Sequence, residues 1–134
     1  MLVTTADVLT ATGLTVTSLA GTSGASIPGA CFYGTADSST SVLVFAQAYP
    51  DAASAAAVSP ETMAAALNGA AGIANATVVN GIGDKAVEYT STSGAGNGAV
   101  IFVFKSNVVM FIAITPAKDA TGVEKLATVA VGRL

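Results

Sequence analysis

Hydrophobic and polar positions along the chain fall into short runs with a period of two, separated by clusters of Gly, Pro, Ser and Thr. The runs predict strands at 14–20, 30–35, 41–49, 76–79 and 85–92, and a hairpin over 99–115. Within 85–92, Val87 and Tyr89 share one side, and Glu88 and Thr90 the other. The period becomes helical in three places. "TTADVLTATG" sets Thr4 and Asp7 at capping-box spacing ahead of Val8 and Leu9, and stops at Gly13. Pro50 and Asp51 open an Ala-rich helix that breaks and restarts at Val58-Ser59-Pro60-Glu61, with Ser59 as cap, and frays at Asn68-Gly69. Near the C-terminus, Val123, Leu126, Ala127, Ala130, Val131 and Leu134 form one stripe, with Glu124, Lys125 and Thr128 off it. Asp119 or Thr121 caps that helix, and Gly122 weakens its first turn by up to about 1 kcal/mol relative to Ala.

The richest strands carry apolar residues on both sides. In 42–49, Val42, Val44, Ala46 and Ala48 alternate with Leu43, Phe45, Gln47 and Tyr49. In 100–104, Val100, Phe102 and Phe104 alternate with Ile101 and Val103. In 108–114, Val108, Met110, Ile112 and Ile114 alternate with Val109, Phe111 and Ala113. An antiparallel sheet with one wet face alternates apolar with polar residues instead. Leaving such side chains in water would forfeit roughly 1.5–3 kcal/mol each, so something covers the second face. Three coverings are open: the chain's own helices, a second copy in a homodimer, or an apolar small molecule or protein partner. The candidate ligand or interface residues are Phe45, Tyr49, Ile101, Val103, Val109 and Phe111.

Composition narrows the choice. The 134 residues are 52% hydrophobic and only 10% charged, where about 25% charged is ordinary. The length suits a single domain over 1–134 with a real core. The net charge is −3, and Lys85, Lys105, Lys118, Lys125 and Arg133 are scattered singly, so no basic stripe is available for nucleic acid. Cys31 is the one cysteine and cannot form an internal disulfide; in its apolar run it reads as a buried thiol. The segment 98–115 is apolar enough to suggest a membrane span, but Lys105-Ser106-Asn107 at its centre fits a hairpin turn instead. Met1 leads directly into a polar, capped helix start, which does not read as a signal peptide.

Gly81, Gly83 and Ala86 in "VVNGIGDKAVEY" spell the spacing of a dinucleotide-binding turn. That turn needs a following helix and an acidic residue roughly twenty positions on. Here an alternating, β-rich run follows, and Val103 stands where the acid belongs. The motif therefore predicts a tight turn: Gly81 and Gly83 supply positive φ, and Asp84 accepts backbone N–H groups. Catalysis has little to work with. There is no His to serve as a base. Ser106 beside Lys105 lies at a hairpin tip open to water. The acidic pairs Asp84 with Glu88 and Asp51 with Glu61 read as caps and turn residues, and no metal-ligand spacing or cofactor motif is present.

These elements predict an α+β fold: an antiparallel sheet of about six or seven strands with two or three helices packed on it. "VFAQAYPDAASAAA" and "MFIAITPAKDATGVEKLA" both run from an apolar strand through Pro and Asp into a helix, suggesting an internal α-β-β-β duplication. The order of elements resembles small actinobacterial cell-envelope lipoprotein domains of unknown function. The resemblance rests on Cys31-Phe32-Tyr33 in an early strand, Gly81-Ile82-Gly83-Asp84-Lys85-Ala86 midway, the apolar hairpin and the final helix ending "LATVAVGRL", and covers about residues 5–134. The chain lacks the second cysteine and the lipid-attachment cysteine of that pattern. The resemblance implies an exported, non-catalytic domain, secreted or anchored through a segment outside this chain. The alternative is a structural, oligomer-forming subunit of an envelope assembly.

Overall fold

The computed structural model describes residues 3–18, 30–58, 74–91, 98–116 and 121–134. Seven strands form one sheet: β1 (Val16–Ser18), β2 (Ala30–Thr35), β3 (Ser41–Ala48), β4 (Ala74–Val79), β5 (Lys85–Ser91), β6 (Gly98–Lys105) and β7 (Val108–Thr115). Their order across the sheet is β1-β2-β3-β7-β6-β5-β4, and every neighbouring pair is antiparallel. Two meanders thus meet where β3 pairs with β7. Three helices are described: α1 (Thr5–Thr12), α2 (Ala52–Ala56) and α3 (Thr121–Val131). The α+β expectation holds at this level. The restarted helix at 59–69 and the loops 21–29 and 93–97 lie outside the described residues.

The capping box expected at Thr4 is present. The Asp7 carboxylate accepts the Thr4 N–H at 2.7 Å, and the Asp7 N–H donates to Thr4 Oγ1 at 3.3 Å. Gly13 ends α1 at φ +75, a conformation favourable only to glycine. Asp51 caps α2 by accepting the Ser54 N–H at 2.6 Å. At the far end of the chain, Arg133 grips Asp7 through two N–H donors at 2.6 and 3.0 Å. Arg133 and Thr4 together hold the Asp7 carboxyl well below its usual range. A depressed carboxylate contributes stability above its unfolded pKa and loses it as pH falls. Thr4→Ala is expected to cost about 1 kcal/mol, read as a lower urea midpoint at pH 7, with the deficit shrinking only well below pH 4, where the folded-state Asp7 carboxyl takes up its proton.

Strand register sorts the side chains into two layers. On the first face, Val44, Ile112 and Ile101 stand side by side across β3, β7 and β6. They join Val8, Val123, Leu126, Ala127 and Ala130 in a core beneath α1 and α3. Four members of the predicted C-terminal stripe, Val123, Leu126, Ala127 and Ala130, are fully buried there. Leu134 is 48% exposed because the helix stops at Val131. Gly122 allows close approach: a Cβ there would lie 3.0 Å from Ile114 Cδ1 and 3.2 Å from Thr12 Cγ2. The helix propensity lost at Gly122 is thus exchanged for a tight fit against the sheet and α1.

On the second face, Phe45, Phe111, Phe102 and Val87 line up across β3, β7, β6 and β5. Phe102, Phe111 and Val109 are fully buried. Ala55 of α2 is buried in the same cluster, with Val58 and Tyr49 packed at its margin. The apolar surplus of the strands is therefore absorbed inside one chain. No described helix is long and apolar enough to cross a membrane, and 98–115 forms the predicted hairpin.

Candidate binding surfaces

The six candidate interface residues do not form one surface. Phe45, Val109 and Phe111 belong to the second face, Ile101 and Val103 to the first. All five are buried, and Tyr49 is half-buried. The antiparallel register places Ile101 opposite Ile112 and Phe102 opposite Phe111, so grouping Ile101 with Phe111 mixed two opposite sides. Tyr49 instead has a backbone role: its N–H donates to the Asn107 carbonyl at 2.7 Å, and Asn107 Nδ2 donates to the Tyr49 carbonyl at 2.8 Å. Those bonds fasten the end of β3 to the tip of the β6–β7 hairpin.

The glycine motif forms the predicted turn between β4 and β5. Gly81 takes φ +87 and Gly83 φ +62, and a strand follows. The Asp84 N–H donates to the Phe104 carbonyl at 2.8 Å, and the Ser106 N–H donates to Asp84 Oδ2 at 2.6 Å. Lys105 Nζ lies 3.7 Å from Asp84 Oδ1. Beside this turn, Ala52, Ala56, Lys85, Phe104 and Ser106 bound a shallow hollow of about 290 Å³. The Lys85 ammonium stands 5.7 Å from the centre of the Phe104 ring, within cation–π range.

A larger groove lies on the outer side of the helical layer. Gly122 abuts Thr12 at one end, and Arg133 holds Asp7 at the other. α1 and α3 therefore run antiparallel. The groove between them has a volume of about 330 Å³ and is lined by Asp7, Thr10, Ala11, Lys125, Thr128 and Val129. Its lining sets Ala11 and Val129 among the polar Asp7, Thr10, Lys125 and Thr128. Among the described residues the exposed large hydrophobics are Leu9, Val78, Val129 and Leu134. Three of these four belong to α1, α3 or the residues just after α3.

The acidic residues sort differently from the sequence expectation. Asp51 caps a helix and Asp84 ties a turn, as expected. Glu61 lies outside the described residues. Glu88 caps nothing: it stands on the first face of β5 against Glu124 of α3, and its Oε2 is buried without a hydrogen-bond partner. Asp84 and Glu88 are four residues apart along an extended chain, on the order of 13 Å, and the Asp84 carboxylate is engaged by the Ser106 N–H and Lys105. Cys31 is a half-buried free thiol beside Tyr33. Burial foremost, and then Cys31, push the Tyr33 hydroxyl up to about 12. That hydroxyl donates to the Val3 carbonyl. No group of three or more potential metal ligands occurs among the described residues. Comparison of the chain with protein-family models and with curated proteins finds no match.

Proposed function

We propose that this chain is an exported, non-catalytic binding domain, and that its contact surface is the groove between α1 and α3. The observation that carries the reading is the distribution of exposed apolar groups. The central strands are buried on both faces within the chain, with Val78 of β4 exposed at the sheet's margin, while Leu9, Val129 and Leu134 remain in water along the helical layer. The groove's volume of about 330 Å³ lies at the lower end of small-molecule sites, and a lining that combines apolar side chains with a few polar groups is usual for them. A compact apolar ligand would rest on Ala11 and Val129, with Thr10, Thr128 and Lys125 at its polar end. The absence of histidine, and the use of Asp7, Asp51 and Asp84 in caps and turns, support a role without catalysis. Export follows from the resemblance to cell-envelope domains and is part of the proposal.

The test is native mass spectrometry of the chain purified without detergent. A bound apolar molecule is expected on the wild type and not on Val129→Glu. Val129 is already 36% exposed, so that variant should keep its stability within about 0.5 kcal/mol. A ligand-free monomer from every preparation would sink the reading.

One observation favours the alternative, an oligomer-forming subunit. β4 is an edge strand, carries no charge and no proline, and leaves Val78 63% exposed. Apart from a register shift between Ala74 and Thr77, the described part of this edge carries none of the usual guards, and such an edge invites a second copy to continue the sheet. In the same spectrum that reading gives a dimer unaffected by Val129→Glu. The proposed duplication is supported by the meeting of two meanders at β3 and β7. It must also account for α2 and α3 lying on opposite faces.

A further inference from the structure

We propose that the seating of α3 on the sheet is controlled by one proton held between Glu88 and Glu124. Glu88 continues a lateral row that is apolar from β3 through β7 to β6. Reading across the first face, Val44, Ile112 and Ile101 lead directly to Glu88, and Thr77 follows on β4. α3 covers this region, with Val123 and Ala127 fully buried on either side of Glu124. Glu88 Oε2 is buried and makes no hydrogen bond. An unpaired carboxylate in such a place is costly, whereas a carboxylic acid donating to its neighbour is not.

The described charges offer no cation to replace the proton. Lys85 lies on the opposite side of β5, over Phe104. Lys105 is beside Asp84, Arg133 is bound to Asp7, and Lys125 lines the outer groove. From β6 the facing residue is Ile101, and from β4 it is Thr77. On α3, the Thr128 hydroxyl donates to the Glu124 carbonyl. Burial first, and then Glu124, raise the Glu88 carboxyl from 4.5 to about 7.

A carboxyl that binds its proton more tightly in the folded state adds stability that is complete below its unfolded pKa and is lost as pH rises through the folded one. Below about pH 4.5 Glu88 holds its proton in both the folded and unfolded states, and α3 is seated. Through pH 7 Glu88 ionises, two carboxylates oppose each other, and separation of α3 from β5 relieves them. α3 also forms one wall of the outer groove, so its loosening reshapes that groove.

The test follows the carboxyl carbon of Glu88 and the amides of residues 123–130 by NMR from pH 4 to 9, alongside urea unfolding at pH 5.5 and 8.5. The wild type should show a carboxyl midpoint near 7 and matching changes in the α3 amides. Its folded-to-unfolded ratio should fall about tenfold between the two pH values, a discounted figure because the side chain is partly exposed. Glu88→Gln should flatten that dependence, and Glu124→Gln should lower the Glu88 midpoint. A Glu88 midpoint below about 5, or α3 amides indifferent to its titration, would overturn the proposal. So would an unchanged pH dependence in Glu88→Gln. Should Glu88→Gln not fold, the wild-type titration decides alone.

Discussion

Replacing Phe111 by alanine is expected to destabilise the chain by about 3–5 kcal/mol, the range for removing a fully buried aromatic ring. Phe111 stands at the centre of the sheet, on β7 between β3 and β6. Its ring centre lies 5.0 Å from that of Phe102 at an interplanar angle of 60°, and Phe102 meets Tyr89 edge-on at 5.9 Å. Truncation removes one end of this run of rings at the centre of the sheet, and the neighbouring strands cannot close the gap without breaking register. Urea unfolding at pH 6 measures the cost. Val78→Thr provides the control, because Val78 ends the same row at 63% exposure and should change stability by less than about 0.5 kcal/mol. A cost below about 1 kcal/mol for Phe111→Ala would mean that the second face is not sealed in solution, and would restore the sheet as a binding surface.

The two glycines of the β4–β5 turn should respond very differently to the same substitution. Both have positive φ, which costs a non-glycine residue about 1–2 kcal/mol. At Gly81 an added Cβ meets nothing within 4 Å, so Gly81→Ala should cost about that strain alone. At Gly83 the Cβ would sit 2.7 Å from the Phe104 carbonyl oxygen and 2.7 Å from Val103 Cγ1. The oxygen cannot retreat freely, because it accepts the Asp84 N–H at 2.8 Å. Crowding of a packed site adds about 1–3 kcal/mol to the strain. Gly83→Ala is therefore expected to lower Tm by on the order of 10 °C, and Gly81→Ala by about 3–5 °C, at a few degrees per kcal/mol for a domain of this size. Equal shifts in a thermal melt would show that Gly83 is needed for its φ only, and not for close approach to β6.

Local chemistry was legible in the sequence where a few adjacent residues decide the outcome. The Thr4–Asp7 box, the Asp51 cap and the turn nature of Gly81-Ile82-Gly83-Asp84 depend on neighbours within one turn of chain. So does the separation of Val87 and Tyr89 from Glu88. The interface residues were harder to read, for a specific reason. Alternation tells which residues of one strand share a side, but not how the sides of two strands correspond. That correspondence is fixed by the turn between them. With Ser106 and Asn107 as the connection, Lys105 pairs with Val108 and Ile101 with Ile112, so the polar triplet held the missing clue. The pairing of Glu88 with Glu124 had no such local trace. Glu124 lies off the apolar stripe of its helix, and nothing short of the docked helix places it over β5. Leu134 was misplaced because the stripe continues one turn further than the helix.

The junction of β3 with β7 governs how the molecule is made. The first three strands emerge during synthesis well before residues 108–115, which supply the other half of the sheet's centre. Until then β3 offers Val42, Val44 and Phe45 along an open edge, a template for mispairing with any neighbouring nascent chain. Closing so long an intervening span adds only modestly to the entropic cost, but it delays the central ladder until both hairpin strands are available. Assembly is therefore expected to work from the flanks inward, with the interval before the last hairpin arrives the one in which a chaperone matters most.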